Sequence, residues 1–112
     1  DAQHVGACSQ WSGYGVTWSP ANWNVLANLT VYFDEPMSVM NYTLFGDYDM
    51  CWNRIWLLDN TTKQTKIVLD GVANDCIMTR PLDGTFRADA MIFQTCGWSW
   101  SSTDAVQMCG AT

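Results

Sequence analysis

Tryptophan is the side chain with which this sequence is best equipped to do chemistry, ahead of any acid, base or nucleophile. Seven occur in 112 residues, at Trp11, Trp18, Trp23, Trp52, Trp56, Trp98 and Trp100. An indole presents a broad apolar face with a negative π cloud, so it stacks on C–H-bearing ring faces and releases water as it does so. The flat faces of β-1,4-linked pyranoses have that character, and indoles spaced along a strand can meet successive sugar rings. Polar side chains such as Asn22, Asn24, Asn53 and Gln94 can bond equatorial hydroxyls and fix orientation. Binding of this kind needs no cofactor and no charge.

The groups that enzymes use are sparse. His4 is the single His and Glu35 the single Glu. A Ser-His-Asp triad would have to recruit His4 from the first residues of the chain. Asp47 and Asp49 have the residue types of a glycosidase acid and base, and a D-x-D pair can hold Ca²⁺. They stand in a turn led by Gly46, however, and a solvated turn is the simpler meaning. The chain therefore reads as a non-enzyme without cofactor or metal.

Strands have to position these side chains. From Asn22 to Phe33 the chain alternates, with Val25, Ala27, Leu29, Val31 and Phe33 on one side and Asn24, Leu26, Asn28, Thr30 and Tyr32 on the other. Period two with one apolar face marks a half-buried antiparallel strand. Asp34-Glu35-Pro36 is expected to close it, since proline cannot donate to a ladder. Short strands are expected at 41–45, 51–58, 63–70, 85–95 and 105–109, with 51–58 and 63–70 forming a hairpin around Asp59-Asn60-Thr61-Thr62. In that hairpin Ile67 and Leu69 point inward, and in the 85–95 strand Phe86, Ala88, Ala90 and Ile92 do so. Residues 71–80 read as irregular and Pro81-Leu82-Asp83-Gly84 as a turn. Regularly spaced short strands predict one all-β domain over residues 1–112, an antiparallel two-sheet β-sandwich of immunoglobulin-like or jelly-roll-like type.

A core of this size cannot absorb seven indoles, so some must face solvent. Trp56, inside Ile55-Trp56-Leu57-Leu58, is assigned to the core. Trp98 and Trp100 flank Ser99 in a Gly-led loop and share a face if that loop is extended. Trp11 and Trp18 are undecided.

Eleven acids against five bases give a net charge of −6. Nucleic acid and anionic membranes are poor partners for such a chain, because both select Lys and Arg. No apolar run has the length of a membrane span. The cysteines are Cys8, Cys51, Cys76, Cys96 and Cys109, without any C-x-x-C, which disfavours a zinc or thioredoxin-type site. Sequons occur at Asn28, Asn41 and Asn60. With the start at Asp1 rather than Met, these features predict a processed, secreted protein. A Cys8–Cys109 bridge would join the two chain ends and remove roughly 4–5 kcal/mol of unfolded-state freedom. Cys51 pairs with Cys76 or Cys96, which spacing cannot separate; Cys51–Cys76 is taken as the expected pair. The fifth cysteine is free to join two chains covalently.

Several segments resemble the family 2 carbohydrate-binding modules. Ala7-Cys8 and Cys109-Gly110 match that family's terminal disulfide. Trp23 to Val31 resembles its W-x-x-G-F-x-A-N-V-x-V strand, Cys51-Trp52-Asn53 its A-W-N/S segment, and Ile77 to Gln94 its I-x-P-G-G-(S/T)-x-x-F-x-F strand. The resemblance implies a β-sandwich that binds cellulose or chitin through a row of Trp. Trp23 and Trp52 stand at two of the family's binding positions. The third falls at Val72-Ala73-Asn74, which has no Trp, and leaves Trp98 and Trp100 to supply another platform. The expected carbohydrate site is thus Trp23, Trp52, Trp98 and Trp100 with Asn24 and Asn53. The competing expectation is a secreted structural or extracellular-matrix protein that meets a protein partner through its aromatic patch.

Overall fold

A computed structural model of the chain describes residues 7–12, 27–46, 51–73, 77–96 and 103–111. They form seven strands, β1 (Ala7–Ser12), β2 (Asn28–Gly46), β3 (Trp52–Asp59), β4 (Gln64–Ala73), β5 (Ile77–Pro81), β6 (Arg87–Thr95) and β7 (Thr103–Ala111). No helix occurs among the described residues. The strands pair antiparallel in the order β1-β7-β2-β6-β3-β4, with β5 added to β2. The all-β expectation holds among the described residues, but hydrogen bonds join their seven strands into one sheet where two were expected.

The reason lies in β2, whose 19 residues serve two sets of neighbours. Its first part pairs with β6 from Asn28↔Gln94 to Tyr32↔Ala90. Its second part lies between β7 and β5, as in Leu44↔Val106 and Leu44↔Met78. Between Tyr32 and Met37 the register with β6 shifts, and Asp34-Glu35-Pro36 falls in that irregularity. The expectation that Pro36 ends the strand is corrected. At a bulge no ladder N–H is required of proline, so the chain bends and continues to Gly46. Within the segment expected to be irregular, the described residues are strand, since β4 runs to Ala73 and β5 begins at Ile77.

Bending encloses one face of the sheet. Val31, Ile55, Leu57, Met91 and Phe93 from the β6-side arm share a core with Val39, Tyr42, Leu44, Met78, Val106 and Met108 from the β7-side arm. The polar atoms in this core find partners, as burial requires. Tyr42 Oη donates to the Val68 carbonyl at 3.0 Å, and Trp52 Nε1 donates to Thr103 Oγ1 at 3.0 Å. Burial pushes the Tyr42 phenol up to about 12, against a smaller opposing pull from Arg80. Gly110 sits where β7 crosses close to β2, and a Cβ there would collide with the Ser38 carbonyl.

Two of the expected turns are present, while residues 47–49 of the Gly46-led turn lie outside the described residues. Lys63 adopts a φ of 64° in the β3–β4 hairpin, where its N–H donates to the Asp59 carbonyl at 2.7 Å. Gly84 has a φ of 76°, and Asp83 Oδ1 accepts from the Thr85 N–H and hydroxyl at 3.0 and 2.6 Å. Those bonds from Thr85, the hydroxyl foremost, hold the Asp83 carboxyl below the usual range.

Cys51 is bonded to Cys96, with Cα atoms 5.4 Å apart. This corrects the Cys51–Cys76 assignment; Cys76 lies outside the described residues. Register decides the pairing, because Trp52 opposes Thr95 and so brings Cys51, just before β3, and Cys96, just after β6, together. Cys8 stands opposite Cys109 in the β1/β7 ladder.

Candidate functional site

The face of the sheet turned away from the core carries the candidate site. Residues directly opposed in an antiparallel ladder project to the same side, so the register gives the surface row by row. Asn28 (β2), Gln94 (β6), Arg54 (β3) and Asp70 (β4) form one row. Thr30, Ile92, Trp56 and Ile67 form the next, and Tyr32, Ala90, Leu58 and Thr65 the third. Interleaved with them, Leu29, Phe93, Ile55 and Leu69 face the core.

The middle of this surface is apolar and partly open. Tyr32 is 60% exposed and Ile67 50%, while Trp56, Leu58 and Ile92 are half-buried. Asn28, Trp56, Thr65 and Ile92 line one shallow hollow. From strand spacing and rise, Tyr32 and Trp56 lie about 12 Å apart along a diagonal, a span of about two linked pyranose rings.

A polar rim borders the apolar strip. The Arg54 guanidinium sits 5.8 Å from the centroid of the Trp56 ring. Asp70 holds it there, with Nε and Nη2 at 3.1 and 2.9 Å from Oδ1. Both members of this ion pair are solvated, so it adds less than about 1 kcal/mol to stability. Its effect is positional, since a guanidinium over an indole fixes the ring plane. Asn53 Nδ2 donates to Gln94 Oε1 at 2.7 Å, which leaves the Asn53 carbonyl and the Gln94 amino group to meet other partners. Nothing in this cluster is a nucleophile or an acid–base pair; it offers an apolar shelf and oriented hydrogen-bonding groups. No metal-ligating cluster of His, Cys, Asp and Glu occurs among the described residues.

The structure redistributes the expected site. Trp52 is wholly buried with its N–H bonded to Thr103, so its assignment as a sugar platform is corrected. Trp56, assigned to the core, is the indole that borders the open face. In a regular strand residues 52 and 56 would share a side. A register shift between Trp52 and Arg54, against both β4 and β6, inverts the phase. A second shift between Ile55 and Trp56 puts both Val68 and Leu69 against the core and turns Ile67 outward, contrary to expectation. Ile92 also faces outward; Met91 and Phe93 take the core instead.

Asn53 is half-buried beside Gln94. Trp23, Asn24, Trp98 and Trp100 lie outside the described residues, as do Trp18, His4, Asp47 and Asp49. Among the sequons, Asn28 is exposed at the hollow, Asn41 is half-buried in β2, and Asn60 accepts a hydrogen bond from Lys63 Nζ at 2.6 Å in the hairpin turn. Tyr32, Ile67, Ile92 and Trp56 are the site residues that sequence reasoning passed over or placed inside, except that alternation did turn Tyr32 outward. The charge of Arg54, two residues before Trp56 and on the same side of a strand, was the available signal.

No protein-family model matches this chain, and no curated protein matches it by sequence. Solved structures do. CpGH89CBM32-6 produced by Clostridium perfringens superposes with a TM-score of 0.66 at 10% identity, over 87% of this chain and 80% of that one. The family 32 carbohydrate-binding module of Streptococcus pneumoniae EndoD gives 0.58 at 11%, covering 86% and 75%. The family 32 module of C. perfringens NanJ, in complex with galactose, gives 0.57 at 12%, covering 92% of each chain. The chain therefore shares the fold of family 32 modules, whereas its sequence motifs pointed to family 2.

Proposed function

We propose that this protein is a non-catalytic glycan-binding module whose platform is the outer face of β2, β6, β3 and β4. The observation that carries the reading is Trp56, held by Arg54 beside an open apolar hollow on a stiff sheet. A pyranose laid on that face covers the indole and Ile92 with its C–H groups. Its hydroxyls meet the amides of Asn53, Gln94 and Asn28. A sheet face loses little freedom on binding, which favours weak but specific recognition. The shared fold with carbohydrate-binding modules, one of them seen with galactose, supports the same class of ligand. The diagonal from Tyr32 to Trp56 favours an extended β-1,4-linked chain of the cellulose or chitin type. A single disk-shaped sugar would use only part of it.

The same reading takes the chain as one secreted domain with Cys8 bridged to Cys109, since these residues oppose each other in the ladder. It is tested by retention on chitin and cellulose, and by calorimetric titration with chitohexaose, cellohexaose and galactose. Saturable binding to at least one of the hexasaccharides, weakened at least about tenfold by Trp56→Ala, is expected. A variant that binds like the parent would overturn it.

A second reading, a structural protein that meets another protein, is favoured by exposed Ile67 and Val72 on β4, which ends the sheet. An extended peptide could add to that strand. It predicts no binding to any of the three sugars.

A further inference from the structure

We propose that Asn28 is an N-glycosylation site whose own glycan lies along the Trp56 face and closes it to sugars from outside. This rests on the glycan-binding reading above and deepens it by adding regulation of the same surface. Asn28-Leu29-Thr30 is an acceptor sequence, and strand alternation gives it a particular geometry. Leu29 packs against the core, so Asn28 and Thr30 both project to the outer face. Asn28 is exposed and lines the hollow with Trp56, Thr65 and Ile92.

The other two sequons lack this combination. Thr43, the hydroxyl residue of the Asn41 sequon, is buried and bonded to Thr79 at 2.9 Å. Asn60 is tied into the hairpin turn and does not line the hollow.

The chemistry balances as ordinary N-glycosylation. Asn28 Nδ2 bonds to C1 of the first N-acetylglucosamine of a polyprenyl-diphosphate-linked oligosaccharide. The C1–O bond to the diphosphate breaks, the diphosphate leaves with the electron pair, and Nδ2 gives up one proton. The stem so attached is a β-1,4-linked pair of N-acetylglucosamines, the repeating chemistry of chitin. Trp56 lies two strands across and two residues along from Asn28, about 12 Å away by strand geometry, within reach of that pair. A tethered ligand has an effective concentration in the millimolar range. Affinity of the same order is enough for it to occupy the platform and exclude a competitor.

The test uses full-length protein carrying Asn41→Gln and Asn60→Gln, secreted from a glycosylating eukaryotic host and also produced unglycosylated in bacteria. Glycopeptide mass spectrometry is expected to find Asn28 occupied. Calorimetry is expected to show chitohexaose bound at least about fivefold more weakly by the glycosylated form. Native enzymatic deglycosylation, which leaves Asp at residue 28 and is followed by that mass change, should restore the affinity of a bacterial Asn28→Asp form. An unmodified Asn28, or equal affinities for the two forms, would overturn the inference while leaving the glycan-binding reading intact. Failure of the bacterial form to bind any oligosaccharide would overturn that reading and this inference with it.

Discussion

On β3, Trp52 turns into the enclosed side of the sheet and gives its N–H to Thr103. Four residues on, Trp56 turns outward beneath a guanidinium held by Asp70. The first is surrounded by core and ties β3 to the start of β7; the second borders an open hollow. Residue type is the same and sequence context is similar, so neither explains the difference. Register does. One shift between Trp52 and Arg54 exchanges the faces, and with them the roles of the two rings. An indole becomes a core residue or a binding surface according to phase.

Trp52→Ala is the hardest blow to one side of this comparison. Removing a fully buried indole should cost about 3–5 kcal/mol and also leave the Thr103 hydroxyl without its donor. Denaturant unfolding would show it as a large fall in midpoint. Trp56→Ala should cost about 1 kcal/mol or less in the same assay. Equal losses at the two positions would mean that the faces are not distinguished as described.

Breaking the Cys51–Cys96 bridge probes what fixes the phase. The cysteines are 45 residues apart in sequence, and a loop of that size corresponds to roughly 3–4 kcal/mol in the chain-entropy account. Cys51→Ala with Cys96→Ala should therefore destabilise by about that amount. Because the bridge adjoins the Trp52↔Thr95 pair, exchange of amides at that end of β3 and β6 should accelerate more than exchange around Trp56.

Alkaline pH sharpens the contrast between enclosed and open faces through Tyr42. Its phenol titrates near 12 in the folded protein, above its ordinary value of 10, because burial disfavours the anion. The stability this contributes is fully present below pH 10 and is lost as pH climbs toward 12, about 3 kcal/mol in all. Tyr42→Phe should flatten that decline, at a cost of about 1 kcal/mol near neutrality from the bond lost to Val68. Unchanged alkaline sensitivity in the variant would contradict the assignment.

The smallest effect belongs to the rim. Asn53→Ala frees the Gln94 amide and should weaken oligosaccharide binding about two- to fivefold with little change in stability. Calorimetry and denaturation on the same sample separate the two.

Much of the scaffold was legible in the sequence, because period-two alternation is imposed by burial. Leu29, Val31 and Phe33 faced inward and Tyr32 outward as read. The Asp59–Thr62 turn and Gly84 followed from residue chemistry, although Lys63, read as strand, belongs to the turn. What failed to show was every departure from strict pairing. A bulge adds residues without a dedicated signal, so β2 was cut at Pro36, Ile67 and Ile92 were turned inward, and the roles of Trp52 and Trp56 were exchanged. The Cys51 partner was equally hidden, since register across β3 and β6 selects Cys96 and spacing does not.

The most direct test is a residue-resolved titration of the amide spectrum with chitohexaose, on the parent protein and on Trp56→Ala. The account predicts shifts concentrated at Thr30, Tyr32, Ile92, Gln94 and Trp56, and their loss in the variant while the rest of its spectrum stays folded. Shifts concentrated within residues 13–26 or 97–102, unaffected by the loss of Trp56, would contradict it.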